Sequence, residues 1–169
     1  MVCFAGGGGN PVGGHDLPVT DAVPLAELLL YAHAAAVLFL AGLSWTVAVV
    51  VYPGFAEAAG DDWSAFHTAH TRRITWVVGP PWAVQGLTVA GLLLTRPNGV
   101  PLGLVLLAAA SAAATVALTV FAAVPLHERL GEGFDVVLHR RLLRSHWWRT
   151  AAWTVAAGAG LAMLVLFDG

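Results

Sequence analysis

The chain has 169 residues, of which 58% are apolar and only 11% charged, with a mean hydropathy of +0.76. Soluble domains run near 45–50% apolar and about 25% charged, so these proportions exclude an ordinary soluble domain, a disordered chain and a nucleic-acid binder. Net charge is -2, every basic residue is an arginine, and the single cysteine, Cys3, has no partner for an internal disulfide.

Residues 1–23 read as a glycine- and proline-rich tail. Gly6 to Gly9, Gly13, Gly14, Pro11 and Pro18 give no periodic apolar pattern. The tail lacks the positive start and apolar centre of a secretion signal, so no cleavage is expected. Residues 24–169 form the second unit, an all-α four-helix transmembrane domain. A hydrocarbon core of about 30 Å takes about 20 apolar residues of helix. The first span runs from about Leu25 to Tyr52 and stops at Pro53-Gly54. The second runs from about Ile74 to Leu94, ends at the turn Arg96-Pro97-Asn98-Gly99, and is expected to kink at Pro80-Pro81. The third runs from about Pro101 to Val124 and reaches Pro125. The fourth has only about 17 apolar residues, Ala151 to Phe167, too few to span. Its helix must therefore begin earlier, which draws His146, Trp148 and Arg149 to the membrane boundary.

Two polar stretches extend these helices. Asp61-Asp62 is a good N-cap, after which Trp63, Phe66, His70 and Ile74 recur at helical spacing. Between Gly133 and Thr150, Phe134, Val137, Leu138 and Leu142 share one face and Arg140, Arg141 and Arg144 another. Ser111, Thr115 and Thr119, and likewise Ala152, Ala156 and Gly160, lie four apart and make faces for close helix packing. Unpaired backbone is not tolerated in lipid, so a closed bundle follows. Arg72, Arg73, Arg129, Arg140, Arg141, Arg144 and Arg149 fall on one side and Arg96 alone on the other. The positive-inside rule then puts the arginine-rich end in the cytoplasm and both termini outside it.

Five of the seven histidines meet at that end. His67 and His70 are one turn apart. His139 and His146 are seven apart, and Arg149, Thr150 and Trp153 continue their face. Imidazoles bind copper, iron or haem, and accept protons near neutral pH. His67, His70, His127 and His146 are accordingly the candidate metal ligands or proton carriers. His127, Glu128 and Arg149 are the candidate catalytic groups, with Arg149 stabilising an anion. Trp63, Arg73, Trp76, Trp147 and Trp153 are candidates for gripping a flat, electron-rich ligand. Against this, His139, Arg140, Arg141 and Arg144 suit interface anchoring, and no HxxxH or ExxH pair marks a metal site. His33, about two turns or roughly 10 Å into the first span, is an intramembrane candidate; its other reading is a neutral ring bonded to a neighbouring helix. Gln85 is expected only to bond a neighbour.

The succession YPGF, FHTAHTRRIT, VPLHERL and HRRLLRSHWWRTAAW resembles a group of small bacterial four-helix membrane proteins similar to the anthrone-oxygenase type. The resemblance spans roughly residues 25–167. That type has a Pro-x-Asn-x-x-Leu-like stretch after the third span and a Trp…Asn…Arg-Thr stretch opening the fourth. The matching positions here are Pro125 to Leu130 and His146 to Thr150, with histidine in place of asparagine at both. The resemblance implies oxygenation of a polycyclic phenol or quinol-like substrate in the bacterial plasma membrane. The expected partners are membrane lipids, a lipophilic aromatic or quinone-like molecule, and a homo-oligomer or larger membrane complex. The alternative is an accessory subunit of a respiratory or photosynthetic complex, with a histidine ligating haem or a chlorophyll-type pigment. A transporter is a third reading, disfavoured by four spans without an inverted repeat.

Overall fold

A computed structural model describes residues 24–168. The tail expected over residues 1–23 lies outside them. The described chain is four helices, each long and apolar enough to cross a membrane: α1 Leu25–Gly54, α2 Trp63–Thr95, α3 Leu102–Gly131 and α4 Val136–Leu166. Their succession is the expected all-α, four-transmembrane-helix bundle.

The polar extensions are helical because each has a start signal and an inward face. Asp62 occupies the N-cap position of α2, although its side chain makes no capping bond. At α4 the cap is Asp135, whose carboxylate accepts from the backbone N–H groups of Val137 and Leu138, both at 2.8 Å. Turn Pro97–Gly99 reverses the chain between α2 and α3. Gly99 takes φ +75°, and a Cβ there would collide with the Leu166 carbonyl and Asp168, so glycine is required on both counts.

Prolines do not end the helices as their position suggests. α3 continues past Pro125 to Gly131, and α2 runs unbroken through Pro80 and Pro81. A helical proline donates no hydrogen bond and presses on the carbonyl four residues back. In α1 and α3 that pressure is relieved by one widened turn. Tyr52 N–H bonds to the Val47 carbonyl and Val124 N–H to the Thr119 carbonyl, five residues back in each case, and the next residue is Pro53 or Pro125.

α1 packs closely on α2 and α4, and α4 on α3, whereas the α2–α3 seam is looser. Small residues permit the close approaches. A Cβ on Gly160 would stand 3.0 Å from Val37 Cγ2 and 3.6 Å from Ala34 Cα, so α1 and α4 nearly touch there. The outer face is apolar: Leu94, Val165, Phe121 and Trp76 are among the most exposed side chains. In water such a surface would associate; hydrocarbon is its natural solvent. Polar side chains are turned inward instead, and His33, Gln85, Thr88, Ser111, Thr115, His146, Arg149 and Thr150 form a buried column. At the arginine-rich end the bundle is floored by Phe55, Trp63, Leu130 and Leu142.

Candidate functional site

Above that floor the four helices enclose a cavity of about 480 Å³. Its polar wall comes from the end of α1 (Tyr52), the start of α2 (His67), the end of α3 (His127) and the middle of α4 (His146, Arg149). Leu40, Leu43, Val47, Ile74, Val78, Trp82 and Trp153 supply the apolar remainder. The volume suits a two- or three-ring molecule.

Tyr52 is the hub. Its phenolic oxygen is 2.9 Å from His127 Nε2, and His127 Nδ1 is 3.0 Å from His67 Nε2. Each imidazole has one donor and one acceptor nitrogen when neutral, so the chain Tyr52–His127–His67 can be ordered in either direction without moving a heavy atom. Edge-on contacts of the Tyr52 ring with His146 at 4.7 Å and His127 at 5.7 Å hold the rings in place. The backbone carbonyl of Tyr52 accepts from His139 Nε2 at 2.7 Å. His139, which suited interface anchoring, is thus buried and braces the hub, because its face of α4 turns into the bundle.

His146 is fixed by α1. Its Nε2–H donates to the Ser44 carbonyl at 3.0 Å, leaving Nδ1 a bare acceptor with no partner. The Ser44 hydroxyl donates to Thr150 at 2.7 Å, and Thr150 in turn donates to the His146 carbonyl. Arg149, one turn below Trp153, places its guanidinium 5.2 Å from the centre of that indole. It is 8% exposed and its Nε has no partner. Among the described residues no carboxylate faces it. A buried cation without a counter-charge costs several kcal/mol, so its opening onto a cavity is the most informative feature of the site. Comparison with protein-family models, with curated proteins and with solved structures finds no match.

Of the residues singled out from sequence, His67, His127, Glu128, His146, Arg149 and Trp153 line the cavity. Glu128 stands exposed on the rim and bonds none of the histidines. His70 lies just behind, 4.8 Å from Phe55 and 6.4 Å from His127, with its Nε2 buried and unpartnered. Four others are not brought to the cavity. Trp63 belongs to the floor, donating to the Leu130 carbonyl at 2.6 Å, and Trp147 packs edge-on against Trp45. Trp76 is 77% exposed on the outer face, and Arg73 is exposed as well. The four histidines do not form a ligand shell: His67 and His127 bond one another and His146 bonds Ser44. Among the described residues no three metal-binding side chains gather about a point.

His33 lies apart, wholly buried, 3.0 Å from Thr88 Oγ1. Because the Thr88 hydroxyl donates to the Val84 carbonyl at 2.7 Å, it accepts from His33 Nδ1–H, and Nε2 is left bare. Gln85 accepts from Trp153 Nε1 at 3.1 Å, tying this level of the bundle to the cavity wall. Sequence reasoning did not single out Tyr52, Ser44 or Trp82. Tyr52 carried the only available signal, a tyrosine immediately before a proline at the end of a span.

Proposed function

We propose that this is a plasma-membrane protein that binds and deprotonates a lipophilic aromatic or quinone-like molecule bearing an acidic hydroxyl. The observation that carries the reading is Arg149: a buried guanidinium with no carboxylate among the described residues, opening onto an apolar cavity. A ligand oxyanion supplies the missing charge, and the surrounding low dielectric strengthens the contact. Trp153 and Trp82 give the ring system flat neighbours.

The proton follows the hydrogen-bonded chain. The ligand hydroxyl passes its proton to the Tyr52 oxygen as Tyr52 gives its own to His127 Nε2. His127 Nδ1–H then passes to His67 Nε2, and the proton on His67 Nδ1 is taken by water at the arginine-rich end. The three protein groups end neutral and oppositely ordered, and the ligand anion rests on Arg149. Orientation follows the arginine count: the site's end faces the cytoplasm, with both termini outside, and the bacterial setting follows the resemblance.

The test is binding of a hydroxynaphthoquinone to the purified protein in lipid nanodiscs. Its visible absorbance separates the ionised from the neutral form, so the spectrum reports the charge as well as the affinity. Saturable binding of the anion is expected, weakened about 10- to 100-fold in Arg149→Gln by loss of a charge-assisted bond. Equal affinity in the variant, or binding of the neutral form alone, overturns the reading.

A further inference from the structure

The cavity is not closed on all sides, and the position of its gap bears on what the ligand is. Resting on the function just proposed, we infer that the ligand is a single-tailed amphiphile whose ring head sits at Arg149 while its hydrocarbon tail runs out between α2 and α3 into the bilayer.

The arginine-rich end offers no wide entrance for a ring system. Phe55, Leu130 and Leu142 are fully buried and Trp63 nearly so, forming a continuous floor at the arginine-rich end. The α2–α3 seam is different. It is clasped at one end by Trp82 Nε1 donating to Thr115 Oγ1 at 3.2 Å. At the other end His67 meets His127 and Ser64 donates to the Gly131 carbonyl at 3.2 Å. Between His67 and Trp82 lie roughly 22 Å of helix at about 1.5 Å per residue, with no side-chain hydrogen bond between α2 and α3 among the described residues.

The lining of that stretch changes from buried to exposed at Thr75, Val124 and Glu128. Thr71 and Thr75 spend their hydroxyl protons on their own helix, at 3.1 Å to the His67 carbonyl and 2.8 Å to the Thr71 carbonyl. Beside the gap on α3 stands Val120, exposed and apolar. The gap thus opens sideways between α2 and α3, apolar at Val124 and with Glu128 at its arginine-rich end. A ligand held wholly within the cavity would need no such outlet.

Gly79 gives the means of testing this. It lines the gap, and nothing stands within 4 Å of where its Cβ would be, so a side chain can be introduced there. The full-length protein in nanodiscs is titrated with two hydroxynaphthoquinones, one without a chain and one with a long alkyl chain, each affinity expressed per mole of lipid. In the wild-type protein the tailed probe binds the tighter on this scale. Gly79→Phe lowers the ratio of tailed to tailless affinity about ten-fold, as expected for an obstructed path. Gly158→Phe, on the exposed side of α4 and away from the cavity lining, keeps the wild-type ratio and controls for added bulk. A ratio unmoved by Gly79→Phe, or equal per-lipid affinities in the wild type, overturns the lateral path while the head site stands. Failure of the tailless probe to bind at all removes the head site and the tail path together.

Discussion

Replacing Arg149 by methionine separates a functional from a structural arginine by the sign of one number. The side chain is 8% exposed and its Nε unpartnered. Burial of such a cation costs several kcal/mol. Its visible compensation is the Trp153 ring at 5.2 Å, worth about 0.5–2 kcal/mol. Methionine has a similar reach, adapts to irregular space and removes the desolvation cost. Arg149→Met should then stabilise the ligand-free protein by about 1–3 kcal/mol. At about 2–4 °C per kcal/mol for a chain of this length, the midpoint rises by roughly 2–12 °C. The assay is thermal unfolding in detergent micelles without ligand, followed by hydroxynaphthoquinone binding. Greater stability with lost affinity is the expected pair of results. A midpoint below the wild-type value would mean that the arginine holds the bundle together, and the argument from its missing counter-charge would collapse.

Two further outcomes follow from the hydrogen bonds. Tyr52→Phe keeps the ring contacts but cuts the chain at its first link, so the bound hydroxynaphthoquinone should lose protons more slowly while its affinity changes by less than about ten-fold; stopped-flow absorbance reads both, and an unchanged rate refutes the relay. Thr88→Val leaves the buried His33 Nδ1–H without an acceptor and should cost about 1–3 kcal/mol, whereas adding His33→Phe restores most of that loss; strict additivity in unfolding measurements would show that the pair is not coupled.

The bundle was legible because its signals are long and redundant. Four apolar runs bounded by Pro53-Gly54, by Arg96 to Gly99 and by the arginine-rich connections leave little choice of topology. The shortness of the apolar run Ala151 to Phe167 gave away the early start of α4, which begins at Val136. Spacing of seven along one helix placed His139, His146, Arg149 and Trp153 on a common face, where the structure has them buried. The aromatic candidates were less readable. A tryptophan near a membrane boundary is at home facing lipid, the floor or the cavity, and composition does not distinguish Trp76 from Trp153. That choice depends on how neighbouring helices cross. Nor could sequence show that Ser44 offers its carbonyl to His146 across two helices.

The paired widened turns have a consequence for register. A regular helix advances about 100° per residue, so twelve residues would carry His127 about 120° round from the wholly buried Thr115, toward lipid. One residue absorbed between Thr119 and Ala123 takes back about 100° and returns the imidazole to within about 20° of that inward line. The same correction in α1, between Val47 and Val51, brings Tyr52 from about 80° to about 20° off the line of Ser44. Each turn thus acts as a phase shifter, and the Tyr52–His127 bond exists only while both are in place. Loss of a single residue from either valine- or alanine-rich stretch would leave composition and hydropathy almost untouched, yet swing one half of the pair out of alignment.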